Sequence, residues 1–388
     1  MSPWNHAAEW STGAWPSLVS VREIAVFSGS AHPELATEIC KELGEPLFPV
    51  RLRRFANDCL EVQLQSNCRE RDVFLIQPLS PPVQDHLVEL LLMLDAARGA
   101  SAARVTAVIP HYAYARSDKK HMPRVSIGGR MVADLLVSAG ASRVLTMTLH
   151  ASQVHGFFSV PVDHLHALRE LAGHFSGQDL TNTVVVSPDL GNAKNAAAFA
   201  SRLGLPVAAG AKERFSDERV SITSIIGDVD GKAVIVLDDE IARGTTIIEL
   251  VDRLREHGVT SVRIACTHGL FAAGSLERIA AIPEVQEIVC TNTVPVPSAG
   301  VTPKLTVISI APALAEAIRR IHWGESVSAL FGQHCTTGRR ERHAPPTSCR
   351  TSGFLWKTVI PKDIHPRAGE KTTGSPISTG LTHAPANV

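Results

Sequence analysis

The sequence predicts an α/β fold with mainly parallel sheets, arranged as two tandem domains of the same type related by internal duplication. Short aliphatic runs alternate with amphipathic segments from about residue 21 to 331, which is typical of buried parallel strands between helices. Two stretches recur at a shared offset, since 26–44 parallels 185–204 and 99–108 parallels 258–266. The 388 residues suffice for two such domains and a tail.

The elements follow in order. Eight buried strands are predicted from short apolar and β-branched runs, at Ile24–Phe27, Val73–Gln77, Val105–Ile109, Val144–Leu149, Val184–Ser187, Ala233–Leu237, Val262–Thr267 and Ile288–Asn292. Helical periodicity predicts five helices between them, at Pro33–Leu43, His86–Ala97, Ile127–Ala139, Ala193–Leu203 and Ile247–His257. Glycine directly follows several of these patterns and marks their ends, as at Gly44 and Gly204.

We expect an N-terminal extension over 1–20, a first domain over 21–165, a second over 166–331 and a mostly disordered tail over 332–388. The tail is rich in Thr, Ser, Pro and Gly and has little apolar periodicity. The last helix of the second domain can also pack on the first.

Composition excludes several classes of function. The chain has 38 basic and 38 acidic residues, so nothing indicates general attraction to nucleic acid or membrane surfaces. The 7 cysteines form no CxxC pair, which argues against a zinc site or a disulfide framework and favours a cytoplasmic protein. No apolar run is long enough for a transmembrane helix, and the N-terminus lacks the pattern of a signal peptide.

Residues 233–246 are the most informative segment. A buried strand ends in Asp238 and Asp239, and a small-residue loop with Gly244, Thr245 and Thr246 leads into a helix. Backbone N–H groups and hydroxyls at a helix N-terminus can hold a phosphate, while the acids can hold sugar hydroxyls or a divalent metal. The alternative is an ordinary strand–turn–helix whose acids cap the helix.

Other polar residues also follow predicted strands. A basic cluster at 116–120 suits a triphosphate or a solvated surface loop. Asp189 is a carboxylate suited to Mg²⁺, and His150 alone is more often structural than a ligand. Lys212 and Arg214, expected in a loop, could neutralise a transferring phosphoryl group or be simply solvated.

The chain resembles the ribose-phosphate pyrophosphokinases, the phosphoribosyl pyrophosphate synthetases, over about residues 21–331. The matching segments occur in the family's order and spacing, at Phe27–Ala36, Asp72–Gln77, Glu89–Ala96, Ala107–Lys120, Val144–Phe158, Ser187–Asp189 and Ser326–Phe331. The resemblance implies two phosphoribosyltransferase-like domains and transfer of pyrophosphate from ATP to the 1-hydroxyl of ribose 5-phosphate. It also implies Mg²⁺ and a homo-oligomer, based on dimers and extending to a hexamer, with no nucleic-acid or membrane partner.

The resemblance also assigns site residues. Lys212 and Arg214 match the catalytic cations of a mobile loop. Ribose 5-phosphate is assigned to the strand end and loop, at Asp238, Asp239, Arg243, Gly244, Thr245 and Thr246. ATP is assigned to Phe55, Asn57, Arg116, Ser117, Asp118, Lys120 and His150, and the metal to His150 and Asp189.

Some positions depart from the family pattern. Asn57 and Cys59 replace acids of the adenine segment, Ala242 replaces the acid after the Asp pair, and Arg243 takes a hydroxyl position. These changes suggest a divergent, less regulated subgroup that tolerates several nucleoside triphosphates. The changes at Asn57, Cys59 and Ala242 also leave open a weakly catalytic homologue that regulates a true synthetase. A phosphoribosyltransferase is a further alternative, because that class shares the Asp-Asp…Gly-x-Thr loop.

Overall fold

The computed structural model describes residues 23–214, 220–296 and 302–331, and these form part of one compact unit. The expected N-terminal extension and tail lie outside the described residues. Within them the elements alternate along the chain as the hydrophobic pattern predicts.

The first half of the chain forms a six-stranded sheet in which every strand pair is parallel, in the order β2-β1-β5-β6-β7-β8. Its strands are β1 (Ile24–Ser28), β2 (Leu47–Phe48), β5 (Asp72–Ile76), β6 (Arg104–Ile109), β7 (Arg143–Met147) and β8 (Val162–Leu165). Its helices are α1 (Pro33–Leu43), α2 (Val83–Gly99) and α3 (Gly128–Ala139). An antiparallel hairpin, β3 (Val50–Arg54) and β4 (Leu60–Leu64), is inserted after β2.

The second half forms a seven-stranded sheet in the order β11-β10-β9-β12-β13-β14-β15. Its strands are β9 (Thr183–Ser187), β10 (Val207–Arg214), β11 (Val220–Ile226), β12 (Ala233–Ile241), β13 (Ser261–Gly269), β14 (Val285–Thr291) and β15 (Leu305–Ile308). Only β11 runs antiparallel to its neighbour. Its helices are α4 (Leu168–Phe175), α5 (Ala193–Leu203), α6 (Thr245–Glu256), α7 (Ser275–Ala280) and α8 (Ala311–Trp323).

The two sheets repeat one connection order. The strand–helix–strand unit β1-α1-β2 has its counterpart in β9-α5-β10, and β5-α2-β6 has its counterpart in β12-α6-β13. Both predicted repeats fall on these equivalent units. Gly44 and Gly204 end the equivalent helices α1 and α5 in the left-handed conformation, with φ of 73° and 68°.

A hydrophobic core joins the two halves. Buried side chains of strands from both sheets, among them β1, β5, β9 and β12, share one cluster with side chains of helices α1, α4, α5 and α8. Separate clusters cover the outer face of each sheet. Helix α8 packs against α1, and the fully buried Asp72 accepts hydrogen bonds from Arg104 and from His322 at the end of α8. The halves are therefore held in register by shared apolar burial and by a buried ionic cluster.

Two differences from the sequence prediction concern residues of the candidate site. Strand β12 does not stop at Leu237 but continues through the acidic residues to Ile241, because β13 pairs with it as far as Gly269. Lys212 and Arg214 lie not in a loop but in β10, whose register pairs them with Ile222 and Val220 of β11. The structure describes their backbone only.

Candidate active site

A cleft of about 840 Å³ opens where the two halves meet at the carboxyl ends of strands from both sheets. In parallel α/β sheets this edge is where ligands bind, because loops rather than strands determine its side chains. Most of the predicted site residues line it, at Arg116, Asp118, His150, Asp189, Asp238, Asp239, Arg243, Gly244, Thr245 and Thr246.

The acidic pair forms the floor of this cleft. Asp239 is 8% exposed, and its carboxylate accepts a hydrogen bond from His150 Nδ1 at 2.7 Å. Burial opposes ionisation of Asp239, but the His150 hydrogen bond and charge prevail and hold its pKa below the ordinary range. The same bond raises the pKa of His150. This hydrogen bond joins the first half of the chain to the second.

Asp238 behaves in the opposite way. Burial, and then repulsion from Asp239, raises the pKa of Asp238 well above its ordinary value. Asp189, at the end of β9, adds to that repulsion. Acids whose pKa values are driven apart in one cleft indicate a place where a cation or hydroxyl groups would be stabilised.

The loop between β12 and α6 has the geometry of an anion cradle. Gly244 adopts φ 71°, and a Cβ there would lie 2.8 Å from Ile279 Cδ1. Helix α6 begins at the very next residue, Thr245, so the free N–H groups of its first turn and two hydroxyls face the cleft. Only glycine permits this turn so close to α7.

The backbone of this loop is held from outside. The carbonyl of Ala242 accepts hydrogen bonds from Ala272 N at 2.9 Å and Ser275 Oγ at 2.8 Å, and Arg278 donates to the carbonyl of Arg243 at 2.8 Å. The Arg243 side chain is exposed and lines the cleft. The loop therefore keeps its shape although its sequence departs from the family pattern at 242 and 243.

The segment after β6 brings positive charge to the opposite wall. Arg116 ends a short 3-10 turn, and its guanidinium lies 3.4 Å from Glu240. Asp118 accepts a hydrogen bond from Gln153 at 2.6 Å. The Ser117 hydroxyl accepts from Gly128 N at 2.8 Å and so anchors the segment to α3.

Several predicted residues lie elsewhere. Ser117 and Lys120 do not line the cleft, whereas Lys119 does. Phe55 and Asn57 lie in the turn of the β3–β4 hairpin and are likewise absent from its walls. Phe55 is 38% exposed. This suits the family resemblance, in which this segment contacts adenine across a subunit interface.

Magnesium suits the donor set on the β9 and β12 side of the cleft. The ion takes oxygen ligands, usually one or two carboxylates completed by water and substrate phosphates. Asp189, Asp238 and Asp239 supply carboxylates at one wall, and burial together with repulsion from the other two acids raises the pKa of Asp238. Among the described residues no group of three His, Cys, Asp or Glu side chains could hold a metal alone.

The structure adds cleft residues that the sequence did not single out. Glu240 follows the acidic pair and accepts from His111 Nε2 at 3.2 Å. Lys194 lines the cleft beside Asn195 and adds a positive charge near Asp189 in sequence. His166 also lines it, and its Nδ1 is buried without a hydrogen-bond partner in the described part of the chain. The sequence signal that could have identified Glu240 is its position directly after Asp238 and Asp239.

Backbone strain occurs beside His150. Thr148 has φ 43°, which is rare for a β-branched residue. It is held there by bonds from its N–H to Leu165 O at 2.8 Å and from His268 Nε2 to its carbonyl at 3.0 Å. Strain that the surroundings enforce is characteristic of functional sites, and here it orients the residue that contacts Asp239.

The fold is of the phosphoribosyltransferase type, present twice in one chain, and the two copies share the cleft. Two family models match, the N-terminal domain of ribose phosphate pyrophosphokinase over residues 24–140 and the phosphoribosyl synthetase-associated domain over residues 213–332.

Individual proteins agree with these models. The chain is 73% identical over 311 residues to a putative ribose-phosphate pyrophosphokinase of Streptomyces coelicolor, covering 80% of this chain and 98% of the relative. It is 50% identical over 313 residues to the ribose-phosphate pyrophosphokinase of Deinococcus radiodurans, covering 79% and 98%. The crystal structure of phosphoribosylpyrophosphate synthetase from Mycobacterium smegmatis superposes with a TM-score of 0.74 at 40% identity, covering 78% of this chain and all of that one. The chain therefore belongs to the ribose-phosphate pyrophosphokinase family.

Proposed function

We propose that this chain is a ribose-phosphate diphosphokinase that transfers the pyrophosphoryl group of ATP to the 1-hydroxyl of ribose 5-phosphate. The observation that carries the proposal is the shared cleft, in which an acidic strand end and a phosphate loop from one half face a basic segment from the other. Products would be phosphoribosyl pyrophosphate and AMP. A simple phosphoribosyltransferase needs one such domain and no triphosphate wall, so the duplicated architecture argues against that alternative.

Each wall has a defined task in this mechanism. The N–H groups at the start of α6, with Thr245, Thr246 and Arg243, hold the 5-phosphate. Asp238 and Asp239 hold the ribose hydroxyls and orient the 1-hydroxyl. Arg116 and the neighbouring Lys119 bind the triphosphate, so that the β-phosphorus lies near that hydroxyl oxygen.

The reaction forms one P–O bond and breaks another. The 1-hydroxyl oxygen attacks the β-phosphorus and gives its proton to water, the bond from that phosphorus to the oxygen bridging to the α-phosphate breaks, and AMP leaves with that oxygen. Lys212 and Arg214 would neutralise charge that develops on the transferring group. Mg²⁺, held by Asp189 with His150 and by substrate oxygens, would supply further charge neutralisation when bound.

The proposal extends to organisation and location. Boundaries at 21–165 and 166–331 are supported by the two sheets, whose strands lie at 24–165 and 183–308. A homo-oligomer is supported by the position of Phe55, which is assigned to ATP but is exposed and lies outside this chain's cleft. It would then contact a nucleotide bound to a neighbouring subunit. Cytoplasmic location is supported by the free state of the described cysteines, Cys40, Cys59, Cys68, Cys266 and Cys290. No helix in the described part of the chain is long and apolar enough to cross a membrane.

The test is to incubate the pure protein with ribose 5-phosphate, ATP and Mg²⁺ and to quantify AMP and phosphoribosyl pyrophosphate. Equal amounts of both products, lost in Lys212→Ala, are expected. Absence of product above the level of that variant would instead favour the regulatory homologue, which the departures at Asn57, Cys59 and Ala242 suggest.

A further inference from the structure

Glu240 links the two walls of the cleft. It lies in β12, two residues after Asp238, and its side chain is 11% exposed. Both of its oxygens are engaged by the first half of the chain. One lies 3.2 Å from His111 Nε2, and the other lies 3.4 Å from Arg116 Nη2.

The histidine behind Glu240 is itself fixed. His111 is 3% exposed, and its Nδ1 lies 3.1 Å from the carbonyl oxygen of Leu79. Its ring also contacts the ring of His268 edge-on, with centroids 4.7 Å apart. His111 is therefore held on both ring nitrogens, and its contact with Glu240 fixes the carboxylate in one orientation.

Arg116, by contrast, has little else to hold it. Its side chain is 51% exposed, and Glu240 is the acidic partner that the structure gives it among the described residues. A long exposed side chain loses rotamer freedom when it binds a ligand, and a fixed partner removes part of that cost beforehand. A guanidinium has five N–H donors, so contact with one carboxylate leaves most of them free for phosphate oxygens.

We propose that Glu240 is a positioning residue which, held by His111, orients the Arg116 guanidinium toward the triphosphate of the nucleotide. This rests on the proposed function, since it assigns Arg116 to ATP. Glu240 belongs to the strand that carries the ribose-binding acids, so the contact also ties the nucleotide wall to the ribose wall. A carboxylate this close to a polyphosphate would be repulsive without the Arg116 guanidinium beside it.

A double-mutant cycle tests the proposal. Glu240→Gln keeps the size of the side chain and removes its charge. It should raise KM for ATP about tenfold and leave KM for ribose 5-phosphate unchanged, because the 5-phosphate loop does not depend on Arg116. Arg116→Ala should raise KM for ATP further, and adding Glu240→Gln to it should change nothing more. Glu249→Gln, an exposed glutamate of α6, is the matched control and should resemble the wild type.

Two outcomes would overturn the proposal. One is a Glu240→Gln effect that multiplies with that of Arg116→Ala, and the other is an effect that falls on ribose 5-phosphate or on kcat alone. A merely structural role would lower the folded fraction and affect both substrates equally. If Glu240→Gln folds poorly, Glu240→Asp is the second variant, because it withdraws the carboxylate from Arg116 while keeping the charge. It should raise KM for ATP by a smaller factor and leave KM for ribose 5-phosphate unchanged.

Calorimetric titration of ATP in the absence of ribose 5-phosphate repeats the cycle without turnover. A wild type that binds ATP and forms no phosphoribosyl pyrophosphate would refute the proposed function and leave the Glu240 cycle readable. A wild type that is active, with Glu240→Gln binding ATP as tightly, would refute only the positioning role.

Discussion

Gly244→Ala tests the phosphate loop, and its cost can be worked out from the structure. The residue has φ 71°, a conformation that costs an L-amino acid about 1 kcal/mol relative to glycine. The new Cβ would also lie 2.8 Å from Ile279 Cδ1 and 3.2 Å from Ser275 Cβ. Overpacking of this kind typically costs a further 1–3 kcal/mol, roughly, so the free energy of unfolding should fall by about 2–4 kcal/mol.

A matched variant separates the two contributions. Gly258 has φ 63°, but nothing lies within 4 Å of a Cβ placed there. Gly258→Ala should therefore lose only the conformational term of about 1 kcal/mol. Urea unfolding of both variants gives the difference, which measures the contact with α7.

The same pair of variants separates stability from function. The Ile279 Cδ1 methyl can turn away from the new Cβ, but Ser275 Cβ at 3.2 Å moves only with the backbone of α7. Relief of that contact shifts α7 or the loop that begins α6, so KM for ribose 5-phosphate should rise at least tenfold. KM for ATP should change little, and Gly258→Ala should leave both unchanged. Equal stability losses and unchanged ribose 5-phosphate affinity would refute the anion-cradle interpretation of this loop.

Three further predictions concern other parts of the cleft and core. Burial lowers the pKa of His268 to about 4, below its ordinary 6.5, so the unfolded state binds more protons as pH falls. The free energy of unfolding should therefore drop by about 2 kcal/mol between pH 7 and pH 5 from this group, and urea titrations of His268→Gln should lack that component. Asp72→Asn leaves Arg104 and His322 without their buried carboxylate and should cost about 3 kcal/mol in urea unfolding, whereas Asp228→Asn, at an exposed pair with Lys232, should leave the unfolding midpoint nearly unchanged. Arg243→Ala should raise KM for ribose 5-phosphate about tenfold in steady-state assays, whereas Arg202→Ala on the exposed face of α5 should not; equal effects would contradict the role of Arg243.

Much of the fold could be predicted from the sequence because its parallel strands are buried on both faces. A strand such as Val184–Ser187 is then a continuous apolar run, and a helix such as Pro33–Leu43 ends at a glycine that adopts the left-handed conformation. Short or exposed strands gave no such signal. Strand β3, with three arginines in five residues, forms through pairing with β4 rather than through burial.

The candidate site was predictable where chemistry is concentrated in the sequence. Asp238, Asp239 and Gly244 are consecutive features of one strand and loop, and the structure brings them to the cleft with His150 and Arg116. The role of Glu240 could not be predicted, because His111 is 129 residues away in sequence and meets it only after the halves pack. Long-range pairs of this kind arise from tertiary structure, which local periodicity does not encode.

The central claim is that one cleft moves an intact pyrophosphoryl group from ATP to ribose 5-phosphate. The most direct measurement uses ATP labelled at the γ-phosphate, with ribose 5-phosphate and Mg²⁺, and follows the label. The account predicts that the label appears in phosphoribosyl pyrophosphate, with one AMP for each labelled sugar, and that Asp239→Asn abolishes its transfer. Label released as inorganic phosphate with ADP, or no transfer by the wild type, would contradict it.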